Sequence, residues 1–316
     1  MRFLAARLAQ FVVVLIVVSA VAFLLLNHLP GNPVITLLGP AATPQAIALL
    51  TQQLGLDKPA WLRYFIWLGN ALHGNLGSSY VNHQPVLTSI KQRLPVTVEL
   101  LVFSQLIALA LAVPLGILAA LRPNRMVDKL SSGAAFGLLS APGFILAELL
   151  VYLFAVRFNL FPATGYVHLT ENPLENIRSL TLPSLTLGLG SMAVYMRVLR
   201  TDMIATLQQD FITMARSKGL PTWWILLRHA LRPSTFTLVT VGGLNVGTLI
   251  GGAFIIEYIF QVPGLGLLTI NSIYARDYLV VTSTTVLVAG GFVLVNLLVD
   301  LFYTFLDPRV RSARFA

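Results

Sequence analysis

Long apolar runs separated by polar connections dominate the hydrophobic pattern of this chain of 316 residues. Six runs are long enough to cross a bilayer, because a hydrocarbon core about 30 Å thick needs roughly 20 helical residues. Lipid offers backbone groups no hydrogen-bond partners, and the runs lack the alternation of barrel strands, so each is predicted to be a helix. The predicted spans are residues 8–29, 96–121, 132–156, 180–203, 234–258 and 279–306. The pattern therefore predicts an all-α polytopic membrane protein with six transmembrane helices.

Composition and charge narrow the class of protein further. The chain is 56% hydrophobic and only 10% charged, whereas a soluble domain carries about 25% charged residues. It has no cysteine, which excludes disulfides, a thiol nucleophile and cysteine-ligated metals. The net charge of +9 does not indicate nucleic-acid binding, because the basic residues lie between the apolar runs and form no stripe with aromatic residues.

Lysine and arginine are distributed unequally between the two sides of the predicted membrane. One set of connections holds twelve of them in 57 residues, and the other set holds seven in 109 residues. The first set comprises residues 1–7, 122–131, 204–233 and 307–316, and the second comprises 30–95, 157–179 and 259–278. By the positive-inside rule, the N and C termini and the segment 204–233 are expected in the cytoplasm.

These boundaries divide the chain into four predicted parts. They are residues 1–29 (tail and first transmembrane helix), 30–95 (extracytoplasmic segment with short helices), 96–306 (transmembrane domain of five helices) and 307–316 (cytoplasmic tail). The first run is an alternative candidate for a signal peptide. However, its apolar core over residues 11–26 exceeds the usual length of about 7–15 residues, and no small-residue cleavage site follows.

Local signals predict further helices and bends. Thr43 and Pro44 predict a helix start and Gly55 a helix stop. Residues 59–72 predict a second helix, which either lies at the membrane interface or contacts a partner protein. Kinks are expected in the second span at Pro114-Leu115-Gly116 and in the third span at Pro142-Gly143.

The segment 204–233 differs from an ordinary connection because it carries two helix patterns. Apolar residues recur at helical spacing over residues 201–218, and Gly219 suits the left-handed position that ends a helix. Pro221 is expected at the first position of a second helix, which Pro233 is expected to end. The residues alone leave two interpretations open: a hairpin that lies on lipid, or an ordered surface to which another protein docks.

The same segment resembles the EAA loop of ABC importer permeases. That loop reads Glu-Ala-Ala-x3-Gly-x9-Ile-x-Leu-Pro, and Ala215, Gly219 and Leu231 match it in register. The departures from the loop are Thr213 and Met214 for Glu-Ala, His229 for Ile, and Arg232 for Pro, with Pro233 one place later.

Other segments resemble the B-type subunit of dipeptide and oligopeptide permeases. They are Pro30-Gly31-Asn32-Pro33, Leu54-Gly55-Leu56-Asp57, Gly74-Asn75-Leu76-Gly77 and Arg93-Leu94-Pro95 in the first third, and residues 257–278 and 294–311 in the last. Asn32 and Asn75 stand where the family commonly has Asp. The resemblance covers nearly the whole chain and implies the type I ABC importer permease fold, in the cytoplasmic membrane of a bacterium.

The resemblance also implies a mechanism with partners. No lysine is followed by Ser or Thr, so the phosphate loop Gly-x4-Gly-Lys-Ser/Thr is absent and this chain is expected to be a non-catalytic subunit that binds no cofactor. ATP and Mg²⁺ would be used by one or two separate ABC ATPase subunits. A second homologous permease, an extracytoplasmic substrate-binding protein and membrane lipid complete the expected partners, without nucleic acid. The residues expected to couple this chain to an ATPase are Met214, Ala215, Arg216, Lys218, Gly219, Leu220 and His229.

Polar residues and glycines within the spans are candidates for the pathway. Carboxylates in a membrane are costly and are functional candidates by default. The candidates for lining or gating a pathway are Glu148, Asn245, Glu257, Phe260, Pro263 and Asp300. Gly243, Gly247 and Gly251 form a ridge of small residues that packs either within the chain or against the paired permease.

Two other classes and several cargoes remain as alternatives. An ion-coupled secondary transporter would show an inverted repeat with matching broken helices, which the sequence lacks. A membrane enzyme would need a site, but the five histidines have no ligand spacing and no Gly-x-Ser-x-Gly motif occurs. Peptides are the expected cargo by resemblance, and nickel chelates, glutathione and haem are the alternatives.

Overall fold

The structure is a computed structural model that describes the backbone of residues 2–28 and 33–306 and the side chains of residues 7, 9–26 and 33–299. The motif residues 30–32 and the tail after residue 306 lie outside these ranges. Every regular element in the described part of the chain is helical, apart from one isolated bridge between Ser78 and Pro85. The chain is an all-α polytopic membrane protein, as its hydrophobic pattern predicts.

Up to Leu121, the described residues form two long α-helices with three short α-helices between them. These are α1 (Arg2–His28), α2 (Pro33–Leu38), α3 (Pro44–Gln53), α4 (Ala60–Leu72) and α5 (Val86–Leu121). The predicted cap of α3 is confirmed, because the Thr43 side chain accepts a hydrogen bond from the Ala46 amide at 3.2 Å. Gly55 follows α3 with φ +64°, a left-handed conformation that suits glycine. Both short helices predicted in this segment are therefore present.

The third predicted span is sharply bent, and the kink expected at Pro142-Gly143 is confirmed. It consists of α6 (Met126–Ser140) and α7 (Gly143–Leu150), followed by a π-helical turn over Val151–Arg157, and the two parts meet at 108°. Proline has no amide hydrogen and disfavours helical backbone in the residue before it. Ala141 accordingly has extended backbone ahead of Pro142. The described chain thus has five single membrane-length helices, or six spans when the bent pair counts as one.

The remaining helices extend beyond the predicted apolar runs. They are α8 (Pro173–Leu207), α9 (Asp210–Ser217), α10 (Thr222–Trp224), α11 (Leu231–Phe260), α12 (Leu265–Tyr274) and α13 (Tyr278–Leu306), with a π-helical turn over Ile225–Ala230. Helix α8 begins where the Asn172 side chain accepts from the amides of Leu174 and Glu175. At the other end of α11, Gln261 takes a left-handed conformation, which stops the helix.

The helices form two compact units. The first comprises Met1–Thr97 and Pro263–Leu294. Its core includes an aromatic cluster of Phe23, Tyr64 and Trp67, in which the Phe23 and Tyr64 rings meet edge to face with centroids 5.7 Å apart. A second apolar cluster joins the start of α5 to α12 and α13 through Val86, Ile90, Leu265 and Val280.

The second unit comprises Val98–Val262 and Val295–Ala316, and α8 lies at its centre. Large side chains of α8 pack there against small residues of α5; the cluster includes Met192, Tyr195, Met196, Leu199, Ala108 and Ala112. Gly188 in α8 is required by this packing, because a Cβ atom there would lie 2.9 Å from the Ser104 carbonyl oxygen. Small residues thus let α5 and α8 approach closely.

Candidate functional site

The hairpin between the fourth and fifth spans begins with a break in the chain. A continuous helix over residues 201–218 was expected, but α8 ends at Leu207 and α9 begins at Asp210. Gln209 has extended backbone at the N-cap position of α9. The short helix buries Ile212 and Ala215 against Ile225 of the second arm. Burial of this apolar face contributes favourable free energy, which opposes the cost of the helical hydrogen bonds that are lost at the break.

Gly219 ends α9 in the way that the sequence predicts. Its φ is +77°, and its amide donates to the Arg216 carbonyl at 2.9 Å. The next amide, that of Leu220, donates to the Ala215 carbonyl at 3.3 Å. This pair of bonds is a Schellman motif, which glycine favours because it has no Cβ atom. The Leu220 side chain packs on the same apolar cluster as Ala215.

The second arm of the hairpin differs from the prediction at both ends. Pro221 is the cap of α10 and not its first helical residue. Pro233 does not end the helix, since α10, the π-helical turn and α11 form one continuous helix from Thr222 to Phe260. A proline inside a helix loses one hydrogen bond and crowds the carbonyl four residues earlier, here that of His229. The π-helical turn at Ile225–Ala230 widens the helix there and relieves that crowding.

The predicted coupling residues fall into two groups. Met214 is 58% exposed and Arg216 and Lys218 are exposed, so their side chains are available to another protein. Ala215 is only 6% exposed and Leu220 is half-buried, so both stabilise the hairpin from inside. His229 is half-buried in the π-helical turn, where its neighbour Arg228 lies over the Trp224 ring.

An ion pair links the start of α6 to α8. It lies at the ends of the third and fourth spans that the charge distribution predicts to be cytoplasmic. Arg200 of α8 donates from Nε and Nη2 to both carboxylate oxygens of Asp128 in the first turn of α6. Asp128 also accepts from the Asn124 amide at 2.7 Å and from the Ser132 hydroxyl. Every oxygen of this buried carboxylate is thereby satisfied, as burial of a charge requires.

A second polar network crosses the core of this unit. The Tyr195 hydroxyl donates to Gln105 Oε1 at 2.8 Å and lies 3.2 Å from Asn245 Oδ1. The Ser191 hydroxyl donates to the same Asn245 oxygen at 2.7 Å. The network joins α5, α8 and α11, so the pathway candidate Asn245 is held by α8.

The glycines of α11 have different surroundings. A Cβ atom on Gly243 would collide with a methyl group of Val299 in α13. Gly247 is buried, whereas Gly251 is exposed and has nothing within 4 Å of an added Cβ. One end of the ridge therefore packs within the chain, and the other is open.

The remaining pathway candidates do not form one cluster. Glu148 is exposed on α7, whereas Glu257 and Phe260 are buried near the end of α11. The Phe260 carbonyl accepts from the Gly165 amide at 2.9 Å, which ties α11 to the loop before α8. Pro263 is half-buried, and the side chain of Asp300 lies outside the described residues.

That loop is anchored by a tyrosine that the sequence did not single out. Tyr166 donates to Glu99 Oε2 at 2.6 Å, and burial followed by this hydrogen bond raises the pKa of the Tyr166 hydroxyl. Asp128, Arg200 and Tyr195 were missed in the same way. Their partners are distant in sequence, so no local pattern reports them. Among the described residues, no group of three or more His, Asp or Glu side chains is placed to hold a metal ion.

The membrane-length helices and the ordered hairpin define a multi-pass membrane protein. Residues 112–312 match the family described as the binding-protein-dependent transport system inner membrane component, and residues 1–101 match the N-terminal part of such membrane components. The chain belongs to this family of inner-membrane transport proteins.

Several relatives are similar along almost their whole length. A putative peptide transport system permease protein of Brucella abortus is 40% identical over 306 residues, covering 96% of this chain and 97% of the relative. A probable peptide ABC transporter permease protein of Sinorhizobium fredii is 36% identical over the same shares. A glutathione transport system permease protein of Escherichia coli is 36% identical over 305 residues, again covering 96% and 97%.

Proposed function

We propose that this chain forms half of the translocation pathway of an ATP-binding-cassette importer for di- or oligopeptides. The observation that carries the proposal is the ordered hairpin, which has a buried apolar interior and exposed side chains on its surface. The chain belongs to a family of binding-protein-dependent transport proteins, in which such a surface suits docking of an ATPase. The other half is a second, homologous but distinct permease. An extracytoplasmic binding protein delivers the peptide, and one or two ATPase subunits bind ATP and Mg²⁺. This chain is itself non-catalytic.

The hairpin has the build needed to receive force from an ATPase. Helix α9 is short, and its exposed Met214 and Arg216, with Lys218 directly after it, suit insertion into a groove on the partner. Its other face is buried on Ile225, so the two arms move together. Closure of the ATPase dimer would therefore displace the hairpin as a unit.

A continuous helix carries that displacement into the bundle. The second arm runs without a break from Thr222 to Phe260. A push on the hairpin therefore moves α11, and with it the Asn245 end of the network to Tyr195 and Gln105. Rocking of α11 against α8 is the movement that this arrangement favours for alternating access. The charge distribution of the sequence supports a cytoplasmic hairpin with both termini on the same side.

The names of the relatives favour peptides as cargo. Those of Brucella abortus and Sinorhizobium fredii are named as peptide transport permeases. Glutathione is the second candidate, because the similar Escherichia coli permease belongs to a glutathione system. Uptake of a labelled dipeptide and of labelled glutathione by cells expressing the complete transporter distinguishes the two.

The coupling role is tested with Met214→Glu in the transporter reconstituted with its ATPase, second permease and binding protein. A carboxylate at this exposed position should weaken ATPase docking without unfolding the hairpin, so peptide uptake per ATP hydrolysed should fall. Met126→Glu is the matched control, because Met126 is an exposed methionine outside the hairpin. Equal effects of the two substitutions, or none, would contradict the proposal. Ala215→Glu is less informative, since it buries a charge and disrupts the hairpin itself.

The subunit composition is tested separately by affinity purification of the native complex. The proposal expects two different permease chains in equal amount. A functional complex with two copies of this chain alone would contradict the heterodimer while leaving the coupling role intact.

A further inference from the structure

A cavity of about 500 Å³ lies wholly within the first unit, between α4 and the loop that follows α3. Its size falls within the range of roughly 300–1,000 Å³ that is typical of small-molecule sites. Charged and polar side chains line it beside apolar ones; the polar lining includes Asp57, Lys58, Arg63, Trp67, Asn70 and Tyr80. Its lining includes no residue of the hairpin and none of the polar network around Tyr195.

Arg63 is one of two basic residues that line this cavity. It is half-buried, and its guanidinium lies over the Phe23 ring, 5.8 Å from the centroid. Among the described residues it makes no hydrogen bond, and no carboxylate lies within 4.0 Å to form an ion pair, although Asp57 lines the same cavity. Its Nε–H is enclosed without an acceptor. Removing a cation partly from water without an anionic partner costs free energy, and a bound anion would lower that cost.

A second donor is aligned with Arg63 on α4. Trp67 is one helical turn further on, and residues four apart lie on the same face of a helix. It is only 6% exposed, and its Nε1–H has no acceptor among the described residues. Buried indole N–H groups usually have a partner. Lys58 adds a second cation to the lining, so basic charge outweighs the single carboxylate of Asp57.

We propose that this cavity binds a small carboxylate-bearing solute of about dipeptide size, with Arg63 as the partner of the carboxylate. Arginine matches the two oxygens of a carboxylate through paired N–H donors. The apolar lining from Phe23, Ile66 and Leu279 would cover the body of the solute. Asp57 is placed in the same lining to attract an ammonium group, which favours a zwitterion over a simple acid. Binding here needs no ATPase and no transport, so an experiment on the chain alone tests it separately from the proposed function.

The test uses the full chain in phosphatidylcholine nanodiscs and equilibrium dialysis with radiolabelled alanyl-alanine. Wild type should bind, and alanyl-alanine amide should compete weakly because it lacks the carboxylate. Arg63→Gln should weaken binding by at least about tenfold, the scale of one hydrogen bond to a charged group. Arg63→Lys should lie between the two. Lys91→Gln, an exposed cation outside the cavity, is the control that should leave binding unchanged.

Three results would overturn the proposal. They are absence of binding to wild type, equal competition by the amide, and unchanged affinity in Arg63→Gln. Asn70→Phe is a second variant in case Arg63→Gln does not fold, since Asn70 is exposed and a phenyl ring there would fill the cavity. Unchanged binding in Asn70→Phe would likewise overturn it. Loss of peptide binding on adding phosphatidylglycerol would assign the cavity to a lipid headgroup instead.

Discussion

Arg200 in α8 donates two hydrogen bonds to Asp128 in α6, across 72 residues of sequence. The bond from Nη2 to Oδ2 is 2.6 Å long, and Nε reaches the other carboxylate oxygen. This paired geometry fixes the angle between the guanidinium and carboxylate planes as well as their separation. The start of α6 is therefore held on α8 at the level of the Asn124 turn.

Removing this charge pair should destabilise the bundle. In Asp128→Asn, Arg200 loses its anion while most of its side chain stays buried. The free energy of unfolding should fall by roughly 3 kcal/mol, which is the low end for a broken buried ion pair. The low end applies because 24% of the Arg200 side chain is exposed. Unfolding of the purified chain by dodecyl sulfate titration measures the change.

The exposed ion pair Glu175–Arg178 is the control for this experiment. Its side chains are 44% and 48% exposed, with a 3.0 Å separation between Arg178 Nη1 and Glu175 Oε1. Glu175→Gln should change the unfolding free energy by less than about 1 kcal/mol. A loss in Asp128→Asn no larger than this would show that the Arg200 contact carries no net stability.

Gly219 should resist substitution because of its backbone and not because of crowding. Its φ is +77°, and an added Cβ would meet nothing within 4 Å. Gly219→Val should destabilise the hairpin by about 1–2 kcal/mol, the cost of left-handed backbone for a residue with a side chain. Hydrogen–deuterium exchange of residues 210–220 should accelerate accordingly. Gly219→Asn should have a smaller effect, since asparagine tolerates this conformation, and equal effects would point to another cause.

Gly243 and Gly251 should respond oppositely to the same change. Gly243→Ala forces a methyl group into Val299 and should cost about 1–3 kcal/mol in dodecyl sulfate unfolding. Gly251→Ala meets open space and should be neutral or stabilising, because alanine is the better helix former. Val299→Ala should rescue Gly243→Ala. Failure of the rescue would mean that Val299 is not the obstacle.

The Tyr195 hydroxyl should contribute to the stability of the core. Tyr195→Phe removes the hydrogen bond to Gln105 and the polar contact with Asn245 without changing the packed ring. The expected cost is about 1 kcal/mol, as for other hydrogen bonds between membrane helices. Tyr152→Phe, at an exposed tyrosine, should stay within about 0.5 kcal/mol of wild type. If the two variants unfold alike, the network adds no stability.

Some functional features were visible in the sequence because they depend on neighbouring residues. The Thr43 cap and the Gly219 turn each involve groups only a few positions apart, so the residue types suffice to place them. The hairpin itself was recognised from helical spacing and from matches at Ala215, Gly219 and Leu231. Its inner face was not, since burial of Ala215 depends on the return of the chain to Ile225.

Prolines show where local rules fail. Pro142 separates two helices at 108°, whereas Pro233 lies inside a continuous helix. Both lack an amide hydrogen, so residue type does not distinguish them. The difference arises from the surrounding backbone: Ala141 is extended before Pro142, while the π-helical turn before Pro233 relieves the crowded carbonyl.

The sequence by itself determined that the chain is a helical membrane protein with a helical hairpin between its fourth and fifth spans. Run length, charge and capping act within a few residues, and lipid allows apolar backbone little besides helix. Only the tertiary structure decided which side chains meet. The pairing of Asp128 with Arg200, the network around Tyr195 and the cavity around Arg63 depend on how distant helices pack, and no single segment of sequence contains that information.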